Sequence, residues 1–583
     1  MGRTRGVRHR SRGRVGMACR EACPGAIGVA ATALDTIRGV SDTSPTSPDT
    51  SANVPGIDPD DLATCLRVLQ EGGRLPAEHP DSVTLQRAVG RLFKEVKRNR
   101  RRKAKDARLA ADRAVIEATA TGSPERIDDE TLGLDLKPAR ELTSARQSAE
   151  PIDPERFAGE LLRPQNCYIC KEPFTLVDRF HHQLCPDCAE ANRMWRDARV
   201  DLTGRRALLT GGRAKIGMHI ALRLLRDGAH LTVTTRFPKD AVRRFTAQPD
   251  SADWLHRLRV IGIDLRDPAQ VIRLADDVAA QGPLDILINN AAQTVRRSAG
   301  AYSGLVDGES APLDTPVDWV SLGRTTAIHP GQLTGAAGAA ITGSLSDGSP
   351  HGEPDAAASA SASDGGGTDT GNGDGTGEGA APAGSESAAN ALVSAALTGG
   401  SASLARVAEG TAVDAGGLIP DLVAHNSWVA TVGEVDPVEL LEVQLCNSVA
   451  PFILVNRLRP AMEASKFRRK YIVNVSAMEG VFGRGYKGPG HPHTNMAKAA
   501  LNMLTRTSSG ELREKGILMT AVDTGWITDE RPHVTKERLA KEGFHAPLDL
   551  IDGAARVYHP IVAGERGTEY SGVFLKDYAP SNW

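Results

Sequence analysis

A chain of 583 residues has room for three to four domains at about 150 residues each, although only 4% of it is aromatic. The net charge of −2 excludes a globally basic nucleic-acid binder but not a local basic patch, and the absence of any run of 18 apolar residues argues against a membrane-spanning helix. Eight cysteines are too few for a disulfide scaffold, and four of them fall in two C-x-x-C pairs, which points to a metal in a reducing, cytoplasmic compartment.

Residues 1–57 are Arg-rich and then Ser/Thr/Pro-rich, the composition of a disordered tail. Residues 58–120 are expected to be helical, with Leu85, Val89, Leu92, Phe93 and Val96 forming one apolar stripe. The basic run 94–108 offers phosphate contacts to RNA, DNA or an acidic partner. The lack of interleaved aromatic residues weighs instead toward a solvated face. Residues 121–160 form a polar linker.

The segment 161–199 carries Cys167-x2-Cys170 and Cys185-x2-Cys188, fourteen residues apart. Four thiolates in two knuckles suit a closed tetrahedral structural Zn2+ site of zinc-ribbon or treble-clef type, with no open position for catalysis. A β-hairpin is expected between the pairs and a helix after Cys188. His181 and His182 are expected on the surface. Such a module serves as a brace on the neighbouring domain or as a contact for a protein partner.

From Leu202 strands and helices alternate, the pattern of a doubly wound parallel α/β sheet of Rossmann type. Residues 200–297 hold its first part and 434–583 its second. The intervening insertion, 298–433, is Gly/Ala/Ser/Asp-rich at its centre (about 334–404) and is expected to be disordered there, with ordered flanks forming part of a lid.

The apolar strand Arg206–Thr210 runs into Gly211, Gly212, Arg213, Ala214, Lys215, Ile216 and Gly217 and then a helix, which makes an anion site from backbone N–H groups and the helix dipole. The next strand ends at Arg236, where an NAD-selective fold places an acidic residue. Arg236 and Arg213 therefore favour NADP over NAD on charge.

From Leu202 onward the chain resembles the short-chain dehydrogenase/reductase superfamily. Thr210-Gly211 through Lys215-Ile216-Gly217 matches its glycine motif, with Lys215 at the middle glycine. Asp264-Leu265, Asn289-Asn290-Ala291-Ala292, Asn447 followed by Phe452 and Pro460-Ala461-Met462, the strand Tyr471–Ser476, the helix around Lys498 and the stretch Val522–Ile527 follow in the family's order. The resemblance implies a cofactor lying along Gly211, Gly217, Asp264, Leu265, Asn290, Ala291, Ile527 and Thr528, with Lys498 on its ribose. It also implies hydride transfer to or from a small carbonyl or alcohol substrate, and homo-oligomers are common in the family.

Two of the family's four catalytic groups are replaced. Asn447 and Lys498 match, but Ala477 stands at the Ser position and Thr494 at the Tyr position. A threonine hydroxyl is a poor acid near pH 7. Tyr486, or failing that His493, is expected to supply the proton from the loop before Lys498, with Thr494 binding substrate. One reading is thus an NADP-dependent oxidoreductase with a non-standard proton donor. The other is an NADP(H)-binding regulatory or scaffold protein without turnover, using the zinc module for partner contact.

Overall fold

The computed structural model describes residues 56–124, 126, 153–322, 384–528 and 530–583. The tail, most of the linker and the centre of the insertion lie outside them. The chain divides into two compact units, residues 1–97 and 98–583. In the first, α1 (Pro59–Gly72) is capped by Asp58, whose carboxylate accepts from the Asp60 and Asp61 amides. α2 (Pro80–Glu117) begins there and continues into the second unit. Of the expected apolar stripe, Leu85 is half-buried and Val89, Leu92, Phe93 and Val96 are exposed.

The second unit opens with a two-stranded antiparallel ribbon, β1 (Phe157–Asn166) and β2 (Pro173–Asp178), followed by α3 (Pro186–Arg196). The hairpin expected between the cysteine pairs is corrected here. Only β2 lies between them, and it pairs with a strand that precedes Cys167.

A nine-stranded sheet follows. Its parallel core consists of β3 (Arg206–Thr210), β4 (His230–Thr235), β5 (Leu258–Gly262), β6 (Ile286–Asn289), β7 (Asp318–Ser321), β8 (Lys470–Ser476), β9 (Ile517–Asp523) and β10 (Val573–Lys576), with β11 (Ala579–Ser581) antiparallel at one edge. The order is β11-β10-β9-β8-β6-β3-β4-β5-β7. β6 pairs with β8 in the register Ile286↔Tyr471 to Asn289↔Asn474, so the strands on either side of the insertion join as neighbours. β3 pairs with β4 on one side and β6 on the other, which makes the β3/β6 boundary the switch point where the winding reverses.

The helices are α4 (Lys215–Arg226), α5 (Pro238–Thr246), α6 (Pro268–Ala280), α7 (Ser303–Ser310), α8 (Gly384–Ala396), α9 (Leu404–Ala408), α10 (Pro437–Gln444), α11 (Ala450–Glu463), α12 (Pro492–Glu514), α13 (His533–Lys541) and α14 (Leu550–Glu565). One sheet face packs Ile220 and Leu224 of α4 with Val557 and Ile561 of α14. The other packs Val271 and Leu274 of α6 with Leu454 and Leu458 of α11. Pro437–Glu463 is long and apolar enough to cross a membrane by length and composition alone, yet its Leu454, Leu458 and Met462 belong to this core.

Part of the stretch expected to be disordered is helical. α8 buries Ala389, Val393 and Ala396 and packs on α5 and α7, with Leu392 beside Phe237, Tyr302 and Leu305. Its Ala, Leu and Val residues give it an apolar face that the composition of the whole insertion conceals. The other flank contributes β7, which extends the sheet beyond β5.

Candidate functional site

The glycine turn between β3 and α4 is tied to the end of β6. The Thr210 hydroxyl accepts the Asn290 and Ala291 amides, each at 3.0 Å, and the Asn290 side chain donates to the Thr210 and Gly211 carbonyls, each at 3.1 Å. A Cβ on Gly217 would lie 1.9 Å from the Gly211 oxygen, and one on Gly211 2.9 Å from the Ala291 Cα. Only glycine permits this approach. Lys215 adopts φ +52° at the middle-glycine position, and its Nζ lies 3.2 Å from Asp414 on the returning flank of the insertion. Ala214 provides no capping side chain, so the first N–H groups of α4 have no side-chain acceptor at their cap. The cradle fits a pyrophosphate.

Toward the adenosine end, Arg213 is engaged internally, 2.5 Å from Asp240, which also binds Arg244 at 2.7 Å. Asp264 is paired with Arg266 at 2.5 Å, and Arg266 reaches Glu442 at 2.8 Å; Leu265 is buried. Arg236 lies over the Phe237 and Tyr302 rings, 5.7 and 5.4 Å from their centroids, and makes no ion pair among the described residues. Burial pushes the Cys446 thiol up to about 11, with Asp264 acting in the same sense and Arg236, Arg266 and Lys498 against it. Charged groups from both sides of the insertion thus act on one thiol.

Asn447 sits on a π-helical turn, Leu445–Val449, between α10 and α11. Its side chain accepts the Gln293 amide at 2.7 Å and donates to the Gln293 carbonyl at 2.9 Å. Wide turns of this kind recur at functional positions. Lys498, on α12, donates to the Val475 carbonyl at 2.8 Å, and burial, opposed by Cys446 and Glu479, lowers its ammonium to about 8.

The structure separates the proposed proton donors. Thr494 lies one helical turn before Lys498, is buried, and its Oγ1 has no hydrogen-bond partner among the described residues. His493 is buried with neither ring nitrogen hydrogen-bonded, 4.0 Å from Glu439 of α10. Tyr486 is 77% exposed. His491 stacks on Trp428 at 4.0 Å and binds its carbonyl.

The four cysteine sulfurs, Cys167, Cys170, Cys185 and Cys188, lie within 4.8 Å of one another, with Cys170 and Cys185 3.7 Å apart. Zn–S bonds of about 2.3 Å give tetrahedral edges of about 3.8 Å, so the group fits zinc. His181 and His182 are buried rather than exposed: His181 is enclosed by Asn192 of α3 and Asp552 of α14, and His182 by Thr121 and His545. His181 Nε2 lies 3.0 Å from Asp552, which also accepts from Asn192 and Arg196. Burial opposes the charged imidazole, but Asp552 and Asp178 outweigh it and hold His181 above its ordinary value. His182 bonds the Thr121 hydroxyl at 2.8 Å, and burial depresses its titration well below the usual range.

This module reaches the segment that follows β9. The Tyr168 hydroxyl accepts the Trp526 amide at 3.0 Å. Ile527, Leu548 and Leu550 pack with Cys167, Leu184 and Ile216. Thr528 is half-buried.

Three further groups lie outside what the sequence pointed to. Arg126 donates to the carbonyls of Thr121, Ile527, Ala546 and Leu548. Asp414 is buried against Lys215. Asp523, at the end of β9, takes the Gly525 amide on Oδ1 while Oδ2 has no hydrogen-bond partner among the described residues, and burial raises it to about 6. Only Asp523 carries a sequence signal, a lone acid closing an apolar strand.

Residues 205–303 match the family model described as short chain dehydrogenase. The "Uncharacterized protein R665" of Acanthamoeba polyphaga mimivirus is 27% identical over 412 residues, covering 69% of this chain and 71% of that one. A "Probable oxidoreductase" of Streptomyces antibioticus is 41% identical over 92 residues, 16% of this chain and 30% of that protein's length. Among solved structures, the NADPH-bound carbonyl reductase from chicken fatty liver aligns at 17% identity with a TM-score of 0.35, over 66% of this chain and 100% of that one. The family match spans the first part of the α/β domain, from the start of β3 to the end of the segment after β6, and there the chain is similar to short-chain dehydrogenases.

Proposed function

We propose that the α/β domain binds NADP(H) in preference to NAD(H) and reduces a small carbonyl, or oxidises the corresponding alcohol, with a non-standard proton donor. The observation that carries this reading is the β6–β8 pairing. It gathers the glycine turn, Asn447 and Lys498 at the carboxyl ends of one sheet, beside the switch point where such folds take their ligands. When bound, the nicotinamide supplies or accepts the hydride. The preference for the 2′-phosphate rests on Arg236, with which no described acidic residue forms an ion pair, and not on Arg213, which Asp240 neutralises.

The proton is assigned to Lys498 acting through Thr494. The hydroxyl lies one turn away on the same face of α12, is buried and is free to relay. A lysine lowered to about 8 is a competent acid near neutral pH. In carbonyl reduction the Lys498 ammonium, which donates to the Val475 carbonyl in this structure, turns to the Thr494 oxygen and gives it a proton as the hydroxyl gives its own to the new alkoxide. Neutral Lys498 then takes a proton from solvent. His493 is the second candidate donor and Tyr486, from its exposed position, the third. The four cysteines are proposed to hold structural zinc, which braces the segment from Gly525 to Leu550.

The test is NADPH and NADH binding by fluorescence, followed by turnover on a panel of aldehydes and ketones. The expected results are at least about tenfold tighter NADPH binding, lost in Arg236→Glu, and turnover removed by Lys498→Met, impaired by Thr494→Val and unaffected by Tyr486→Phe. Binding without turnover across the panel would favour the regulatory reading, to which Ala477 and Thr494 give substance. No binding of either dinucleotide would overturn both.

A further inference from the structure

Between Arg98 and Arg108, helix α2 carries Arg98, Arg100, Arg101, Arg102, Lys103, Lys105 and Arg108, with Asp106 the one acid of the run. Every one of these side chains is exposed, and none forms an ion pair among the described residues. Elsewhere α1 and α2 do pair their charges, as in Arg67–Glu71 and Arg113–Glu117. At 100° per residue, Arg98, Arg101, Arg102, Lys105 and Arg108 fall within an arc of about 120° and form a stripe about 15 Å long. Asp106 projects off this arc.

The arrangement works against the helix itself. Arg98–Arg101, Arg98–Arg102, Arg101–Lys105 and Lys105–Arg108 are like-charge pairs at i,i+3 or i,i+4, each of which destabilises an isolated helix. A polyanion along the stripe would remove that repulsion. The reverse face of the segment holds Asn99, Arg100, Lys103, Ala104 and Ala107, with no large apolar side chain. The exposed apolar side chains Val89, Leu92, Phe93 and Val96 of the same helix precede the basic run, and the vesicle arm of the experiment below distinguishes a bilayer from a duplex. A duplex presents one charge per about 1.7 Å of axis, dense enough to meet every cation of the stripe.

We propose that the Arg98–Arg108 face of α2 is a docking surface for the phosphate backbone of nucleic acid, bound without sequence preference. The absence of aromatic side chains on the stripe fits backbone contact rather than base stacking. This inference is independent of the redox reading.

The experiment is fluorescence anisotropy of labelled 20-base-pair DNA and RNA duplexes with the full-length chain between 50 and 200 mM salt. Five phosphate contacts predict a slope of log K against log salt of about −4.5, or about 500-fold weaker binding across that range. Arg98→Gln/Arg101→Gln/Arg102→Gln keeps residues that favour helix and should reduce the slope by about 3. Arg457→Gln/Lys466→Gln/Arg468→Gln, an equal charge change at exposed positions of the α/β domain, should leave it unchanged. Either duplex binding in this way supports the proposal, and the comparison tells DNA from RNA. It is overturned if neither duplex binds at 50 mM salt, if both triple variants weaken binding equally, or if phosphatidylserine vesicles bind through the stripe while the duplexes do not.

Discussion

Replacing Asp523 by Asn should stabilise the protein at neutral pH and much less in acid. Asp523 is buried at the end of β9, and burial raises its carboxyl from 3.8 to about 6. A group raised in the fold leaves the folded chain holding more protons than the unfolded chain between those two values. The contribution of this group to stability is therefore highest below pH 3.8 and declines as pH rises to 6, above which the penalty is complete. At 1.36 kcal/mol per unit the full penalty is about 3 kcal/mol at pH 8 and about half of that at pH 5. Asn keeps an oxygen for the Gly525 amide and carries no charge, so Asp523→Asn should recover up to these amounts. Urea unfolding at the two pH values reads the difference, about 1.4 kcal/mol in favour of pH 8. A gain that is equal at both, or a loss at both, would refute the reasoning and mean that the carboxylate is ionised and paired in the fold.

Asp414 is the opposite case. Burial works against its charge, but Lys215 and Arg297 hold the carboxyl well below the ordinary range. Asp414→Asn should cost about 1–3 kcal/mol at pH 7, and the cost should disappear as pH falls below the ordinary carboxylate value, measured by the same unfolding titration. Metal analysis should find one zinc per chain. A chelator or Cys170→Ser should lower the melting temperature, and a full-strength melt without metal would contradict the brace. Carbonyl reduction should decline as pH rises through about 8, where Lys498 loses its proton, and alcohol oxidation should rise over the same interval. A flat reduction profile from pH 7 to 9.5 would remove Lys498 as the acid.

What can be read from the sequence is what depends on neighbours along the chain. The strand Arg206–Thr210 occurs as expected, and the glycine turn and the strands ending at Thr235 and Ser476 follow from local apolar runs and turn residues. Side-chain fates set by distant partners cannot be read in this way. Arg213 is claimed by Asp240, 27 residues on, and the burial of His181 is decided by Asp552, 371 residues away. The ribbon partner of β2 lies before Cys167, where the spacing of the cysteines gives no hint of it. Asp264 is engaged for a closer reason, since its partner Arg266 stands two residues away and competes for the same carboxylate.

The central claim is that sequence from both sides of the insertion forms one dinucleotide site. NADPH titration of the full chain tests it most directly when Gly217→Ala, before the insertion, is compared with Lys498→Met, after it. The account predicts a single class of site in the parent protein and a loss of affinity of about tenfold or more in each variant. Unaltered binding in either variant would contradict it.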